Sequence, residues 1–151
     1  GAEERGQAEA IAYNLREMFK LKTRTMSIVL GEGGSGGALG IGVTDKIFML
    51  QYATYSVISP EGCASILFRD AKKADISAKA LKQTSSDLMG FGIIDGIIPE
   101  PLGGAHNDPS EIYSTLKSVI IDEFNKLKKR SVNVLMKKRL NKYRSIGVYS
   151  E

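Results

Sequence analysis

The chain is poor in the residues that bind metals and form disulfides. Its 151 residues include one cysteine, Cys63, and one histidine, His106. A single cysteine cannot form an internal disulfide, and such low usage is typical of a reducing compartment. One cysteine and one histidine are also too few ligands for a zinc or iron–sulfur site built by this chain alone. We therefore expect no metal on this chain.

Long apolar runs are also absent. No segment approaches the roughly 20 apolar residues of a membrane-spanning helix, and no signal-peptide pattern is visible. The composition, 42% apolar and 25% charged, is ordinary for a globular domain. We expect no membrane association. Because the chain begins with Gly1 rather than methionine, we also expect it to be a piece of a longer protein.

Acidic residues are missing from one stretch of the sequence. The net charge is +4, and residues 126–144 carry nine lysines and arginines with no aspartate or glutamate. A stretch of this kind is most simply a solvated helix face. It can also contact nucleic acid, a polyphosphate such as that of coenzyme A, or an acidic partner.

Hydrophobic periodicity predicts short strands that alternate with helices. Predicted strands cover 25–30, 47–50, 55–58 and 93–98. Predicted helices cover 7–21, 38–43, 63–68, 74–89, a long segment that starts at Asp108 or Ser110, and 132–143. This alternation indicates an α/β fold, but the strands are few for a finished sheet. We expect one incomplete domain over 1–151, with a basic helical tail at about 110–145.

The sequence between the first strand and the next helix is unusually rich in glycine. Residues 27–42 read SIVLGEGGSGGALGIG and hold seven glycines without a basic residue. A phosphate-binding P-loop needs a lysine followed by serine or threonine after its last glycine. The residues at that place here are apolar, so the P-loop interpretation fails.

A second glycine motif, that of dinucleotide-binding proteins, fits part of the segment. Gly31, Gly33 and Gly36 match the dinucleotide-binding pattern G-x-G-x-x-G. That pattern requires an acidic residue at the end of the next strand, and Ile47–Leu50 is followed by Gln51 and Tyr52. The dinucleotide interpretation is therefore weak.

A serine nucleophile remains an alternative. Residues 33–37 match G-x-S-x-G with Ser35 on a strand-to-helix turn, and Asp95 and His106 follow in the order that such hydrolases use. A lone histidine in a loop also serves to order that loop through hydrogen bonds to the backbone.

The remaining interpretation is an oxyanion hole made of backbone. Paired glycines at a helix start can direct neighbouring N–H groups to one point, where the helix dipole adds positive potential. Glycine is required because a Cβ atom blocks the close approach of a planar substrate. This interpretation explains the excess of glycine and the lack of lysine together.

Three long stretches resemble a known family. They read GAEERGQAEAIAYNLREMFKL, GEGGSGGALGIGVTDKIFMLQYATYSVISPEGCASIL and IIDGIIPEPLGGAH. They closely resemble the α subunit of bacterial and plastid-type acetyl-CoA carboxylase carboxyltransferase, in its C-terminal portion. The resemblance implies a crotonase-like fold, a superhelix of ββα units, and a bacterial cytoplasm or alternatively a plastid stroma.

The resemblance also implies an activity and partners. The family transfers a carboxyl group from carboxybiotin, on the biotin carboxyl carrier protein, to acetyl-CoA, and the product malonyl-CoA enters fatty-acid synthesis. The α subunit pairs with a zinc-ribbon β subunit in an α2β2 assembly, and biotin carboxylase completes the larger complex. We expect this chain to be inactive without the β subunit, with biotin bound to the carrier rather than to this chain.

The resemblance places the catalytic groups in the glycine segment. The N–H groups of Gly36 and Gly37 would stabilise the biotin ureido oxygen as the carboxyl group leaves. Gly33, Gly34 and Ser35 would shape the loop that faces biotin. Gly40 stands where the family more often has alanine, which predicts a looser helix.

Three other residues lie in matched stretches without an assigned role. Glu61 and Cys63 belong to SPEGCAS, and we expect Cys63 to be a small buried residue. His106 is expected to order its loop or to contact another subunit.

Overall fold

The structure, a computed structural model, describes residue 1 and residues 4–147. Across this part of the chain, no helix combines the length and the apolar character needed to cross a membrane. Five strands alternate with seven helices in the described residues. The strands are β1 (Met26–Val29), β2 (Glu32–Gly34), β3 (Lys46–Leu50), β4 (Thr54–Ser56) and β5 (Gly96–Ile98). The helices are α1 (Gln7–Lys20), α2 (Ser35–Gly42), α3 (Pro60–Phe68), α4 (Ala74–Leu81), α5 (Ser85–Gly90), α6 (Pro109–Lys128) and α7 (Val132–Arg144).

Two small parallel sheets organise these elements. The main sheet has the strand order β1-β3-β5, and the second pairs β2 with β4. Because β2 follows β1 and β4 follows β3, the second sheet extends from the ends of the first. The order β1-β2-α2 and then β3-β4-α3 gives two successive ββα units. We call the end where the main-sheet strands begin the amino edge and the end where they stop the carboxyl edge.

The central strand β3 forms the middle of the core. Its residues Ile47–Leu50 are all buried, and Met49 is fully enclosed. A continuous apolar run is typical of a parallel strand that is covered on both faces. Residues from α5, the turn after it, β5 and α6 complete the cluster around it: Leu88, Ile94, Ile98 and Ile112.

Most of the predicted elements are confirmed. Helix α1 and the two C-terminal helices lie where periodicity predicted them, and Asp108, rather than Ser110, caps α6 by accepting a hydrogen bond from the Glu111 N–H. Ser59 caps α3 through the Gly62 N–H, with Pro60 in the first turn.

Two predicted elements differ in extent from the structure, and one strand was not predicted. The expected helix over 74–89 is broken because Lys82 adopts φ 50° and Thr84 starts a new helix as its cap. The expected strand over 93–98 is only the three residues of β5. Strand β2 was not predicted, since glycine disfavours strands and only its pairing with β4 reveals it.

The basic tail is not simply a solvated face. Arg139 on α7 is 1% exposed and pairs with Asp45, and its guanidinium also donates to the carbonyl oxygens of Met18, Leu21 and Thr23. Lys142, one turn later, pairs with Asp95. These two cations of the tail attach α7 to the rest of the domain.

Candidate active site

The glycine segment lies at the carboxyl edge of the main sheet. The chain leaves β1, forms the short strand β2 and enters α2 at Ser35 without an intervening loop. Strand β2 pairs with β4, with Gly33 opposite Tyr55 and Gly34 opposite Ser56. The predicted helix start at 38 is therefore three residues too late. As a result, Gly36 and Gly37 lie in the first turn of α2.

The first turn of α2 has free backbone donors. The N–H groups at a helix start have no acceptor within the helix. No side chain caps α2, as is also true of α1 and α4, whereas α3, α5, α6 and α7 all receive a capping serine, threonine or aspartate. The N-terminal N–H groups of α2 thus remain available to an external acceptor.

The glycines of β2 and α2 are explained by different packing contacts. A Cβ atom at Gly33 would lie 2.9 Å from the Tyr55 ring, and one at Gly42 would lie 2.6 Å from the Tyr55 hydroxyl. At Gly36 it would lie 3.3 Å from Ile11 of α1. These three glycines allow Tyr55 and α1 to pack closely.

No packing contact of this kind explains the glycine at position 37. Apart from its chain neighbours and the backbone of its own helix, no described atom lies within 4 Å of the position that its Cβ would take, and its φ is not in the left-handed region. Packing within the described part of the chain therefore does not require glycine here. Glycine at an open position on an uncapped helix start is suited to a ligand that approaches the backbone closely.

Ser35 is held in a strained conformation at the same turn. Its φ is 56°, in a region that non-glycine residues rarely adopt. Such a conformation costs about 1 kcal/mol or more and is concentrated at functional sites. Ser35 lies directly before Gly36 and Gly37. Its backbone conformation therefore affects the direction of their N–H groups.

An apolar cavity adjoins this turn. It has a volume of about 460 Å³. Its lining includes Ser35, Gly36, Leu39, Tyr55, Val57, Leu88, Ile93 and Tyr143 and contains no charged side chain. Burial raises the pKa of the Tyr55 hydroxyl, which keeps it neutral. Backbone donors at the mouth of an uncharged cavity act more strongly on a developing anion than they do in water.

The structure does not assemble the serine hydrolase triad. Asp95 is at the amino edge, where its carboxylate accepts from Lys46, Lys142 and the Ile47 N–H. His106 is exposed in the loop that follows β5, with its ring beside Gly104. Within residues 4–147, no hydrogen bond joins Ser35, Asp95 and His106. Only the local turn at Ser35 resembles that motif.

The other predicted residues are not part of the glycine turn. Cys63 is half-buried rather than buried, and Glu61 is exposed on the first turn of α3. Within the described ranges, no group of three or more histidine, cysteine, aspartate or glutamate side chains is arranged to hold a metal ion.

Sequence reasoning missed the residues that support the turn. Tyr55 and Ile11 were assigned only to a strand and a helix face. The signal for Tyr55 was faint: an aromatic residue in a short strand opposite a glycine-rich one. Its contacts with Gly33 and Gly42 depend on the pairing of β2 with β4, which local sequence does not encode.

Together, the two parallel sheets and the successive ββα units define an α/β protein with an uncapped glycine turn at the carboxyl edge of its main sheet. The family model described as "Acetyl co-enzyme A carboxylase carboxyltransferase-like" matches residues 1–147. The chain therefore belongs to the acetyl-CoA carboxylase carboxyltransferase family, of the α-subunit type.

Curated relatives agree with this assignment. The acetyl-coenzyme A carboxylase carboxyl transferase subunit alpha of Treponema denticola is 57% identical over 151 residues, which is 100% of this chain and 50% of the relative. The subunit of the same name from Fusobacterium nucleatum is 53% identical over 149 residues, 99% of this chain and 48% of the relative. The chain spans about half the length of the curated relatives it matches.

Solved structures confirm the predicted crotonase-like fold. A Pseudomonas malonate decarboxylase hetero-tetramer in complex with coenzyme A aligns with a TM-score of 0.61 at 14% identity, over 80% of this chain and 50% of that chain. A transcarboxylase 12S with methylmalonyl-coenzyme A bound aligns with a TM-score of 0.56 at 22% identity, over 64% of this chain and 21% of that chain. Both are crotonase-fold enzymes.

Proposed function

We propose that this chain is part of the α subunit of an acetyl-CoA carboxylase carboxyltransferase, which transfers a carboxyl group from carboxybiotin to acetyl-CoA and forms malonyl-CoA. The observation that carries the proposal is the uncapped first turn of α2, with Gly37 open to an approaching ligand. The names of the full-length relatives support the reaction.

The glycine turn fits a planar ureido group. The open space at Gly37 admits a flat ring to the backbone, and an added Cβ would occupy that space. Carboxybiotin, when bound, would supply the carboxyl group and, after its departure, a basic ring nitrogen. The N–H groups of Gly36 and Gly37 would hold the ureido oxygen and favour the negative charge that develops there. One such donor typically contributes about 3 kcal/mol of transition-state stabilisation.

No ionisable side chain of the cavity takes part in this mechanism. The cavity lining is mainly apolar, and a ligand bound there would displace water and lower the local dielectric, which strengthens the backbone donors. Gly33, Gly34 and Ser35 would orient the turn toward biotin through β2 and the strained φ of Ser35.

The proposal includes partners. The designation "subunit alpha" of the relatives implies an assembly of several subunits. We propose a zinc-ribbon β subunit in an α2β2 heterotetramer, whose own donors would hold the acetyl-CoA enolate, so that the α subunit alone is inactive. The carboxyl donor would be biotin on the carrier protein, which biotin carboxylase charges. A bacterial cytoplasm is the proposed compartment.

The test compares two alanine substitutions in one helix. The full-length α subunit is co-expressed with its β subunit, and malonyl-CoA-dependent carboxylation of a soluble biotin derivative is measured. Gly37→Ala places a methyl group in the open space, and we expect kcat to fall by about 10- to 100-fold. Gly40→Ala, on the face of α2 toward α1, is the matched control and keeps the parent rate.

Other outcomes separate the alternatives. A folded parent complex without transfer would overturn the carboxyltransferase assignment. Equal rates for Gly37→Ala and the parent would remove this turn from the mechanism. His106→Ala is expected to leave the rate unchanged, whereas a serine hydrolase would lose its activity.

A further inference from the structure

Helix α2 depends on its neighbours for its position. It has eight residues, of which Gly36, Gly37, Gly40 and Gly42 are glycine. Isolated helices of this length are marginal even when they are rich in alanine, and glycine weakens them further. The direction of its first-turn N–H groups is therefore set by the contacts at its two ends.

The N-terminal part of α2 packs against α1. The Cβ positions of Gly36 and Gly40 face the Ile11 side chain at 3.3 and 3.8 Å. This apolar contact keeps α2 close to α1. An apolar contact of this kind is not directional, so it fixes the distance between the two helices better than the axial position of α2.

The C-terminal end of α2 is held by hydrogen bonds from another helix. The Tyr143 hydroxyl of α7 donates to the Gly42 carbonyl oxygen at 2.7 Å and accepts from the Thr44 N–H at 2.9 Å. The last carbonyl oxygens of a helix have no N–H donor within the helix, and the Tyr143 hydroxyl provides a donor for that of Gly42. Both bonds are directional: the first holds the last carbonyl of α2, and the second holds the turn that follows the helix.

Tyr143 is itself held firmly. Its ring makes an edge-to-face contact with Phe19 of α1, with centroids 5.2 Å apart at 74°. Arg139 and Lys142 on the same helix pair with Asp45 and Asp95. Burial raises the pKa of the Tyr143 hydroxyl to about 12, so it remains a neutral donor under physiological conditions.

We infer that Tyr143 is a positioning residue for carboxyl transfer, which acts through Gly42 and Thr44 to set the axial position of α2. Through α2 it directs the N–H groups of Gly36 and Gly37 at the opposite end. Tyr143 and Gly36 also line the same cavity, one near each end of the helix. This inference rests on the proposed function of the glycine turn.

The test removes only the hydroxyl. Tyr143→Phe in the full α–β complex retains the ring and its contact with Phe19. We expect kcat for carboxylation of the biotin derivative to fall about tenfold, because small misplacements of donors cost rate steeply. The KM values are expected to stay within twofold of the parent. Tyr113→Phe, which alters a tyrosine that is 69% exposed on α6, is the matched control and keeps the parent kcat.

Amide hydrogen exchange provides a second measurement that does not need activity. Tyr143→Phe is expected to speed exchange in peptides that cover residues 35–44 and to leave α6 unchanged. If Tyr143→Phe is too unstable for kinetics, native-state exchange of the same peptides at low temperature decides the matter.

The outcomes distinguish this inference from the proposed function. A parent-like kcat for Tyr143→Phe, a change in KM alone, or unchanged exchange in residues 35–44 overturns the positioning role. Loss of transfer in Gly37→Ala together with a parent-like Tyr143→Phe overturns the positioning role and leaves the proposed function standing. An inactive parent complex overturns the proposed function and with it the catalytic part of this inference.

Discussion

The two edges of the main sheet differ in their chemistry. At the carboxyl edge, the chain presents glycines, free N–H groups and an uncharged cavity. At the amino edge, Asp45 pairs with Arg139, and Asp95 pairs with Lys46 and Lys142. Within residues 4–147, none of the ion pairs lies at the carboxyl edge. Open α/β sheets bind ligands outside the carboxyl ends of their strands, so the site lies at the edge that these ion pairs leave free.

The amino edge stabilises the domain, and the carboxyl edge provides the donors for a ligand. The ion pairs of the amino edge attach α7 to α1 and to the starts of β3 and β5. They stabilise the domain from the end where no substrate needs to enter. The carboxyl edge keeps its donors unpaired, which costs stability but leaves them free for a ligand.

The largest expected effect on stability is at Arg139. The Arg139→Met substitution leaves the Asp45 carboxylate without its cation and removes the hydrogen bonds that the guanidinium donates to the carbonyls of Met18, Leu21 and Thr23. Breaking a buried pair in this way costs about 3 to 5 kcal/mol. We expect that loss in the free energy of unfolding of the full-length protein, measured with urea.

The control lies on the same helix. Lys137 is exposed on α7, and Lys137→Met is expected to change the free energy of unfolding by less than about 0.5 kcal/mol. If Arg139→Met is as stable as this control, the amino edge does not stabilise the domain.

Acid should weaken the ion pairs that Asp95 makes with Lys46 and Lys142. Burial of Asp95 acts to raise its pKa, but hydrogen bonds from Lys142, the Ile47 N–H and Lys46 outweigh burial and hold the pKa below its ordinary value of 3.8. A lowered carboxylate pKa contributes stability that is present above about pH 4 and is lost as the pH falls through the folded-state pKa. Asp95→Asn removes the contribution of this carboxylate to the pH dependence of stability.

The measurement is the difference between parent and Asp95→Asn. We expect the parent to be more stable by about 2 kcal/mol at pH 7. The difference should narrow once the pH falls below 3.8. A difference that is constant from pH 7 to pH 3 would show that the Asp95 charge contributes nothing.

The sequence predicts the carboxyl edge better than the amino edge. The glycine run is a local pattern whose residues act through their own backbone, although the start of α2 was predicted three residues too late and β2 was not predicted. By contrast, Arg139 looked like one more cation of a basic helix, because its partner Asp45 is 94 residues away. Tyr143 likewise reaches Gly42 over 101 residues. No local pattern encodes such pairings, and only packing of the whole domain reveals them.

The smallest expected effect is that of Gly40→Ala in α2, the helix that spans both edges, and Gly42→Ala in the same helix is its comparison. A Cβ atom at Gly40 would lie 3.8 Å from the Ile11 side chain, an ordinary contact, and its φ is not left-handed. Gly40→Ala should therefore stabilise the protein by up to about 1 kcal/mol. At Gly42 a Cβ atom would lie 2.6 Å from the Tyr55 hydroxyl, and Gly42→Ala should destabilise by about 1 to 3 kcal/mol. Urea unfolding of both variants checks this pair. If Gly40→Ala destabilises as Gly42→Ala does, then α1 packs more tightly on α2 than the contact with Ile11 implies, and glycine at 40 is needed for that packing.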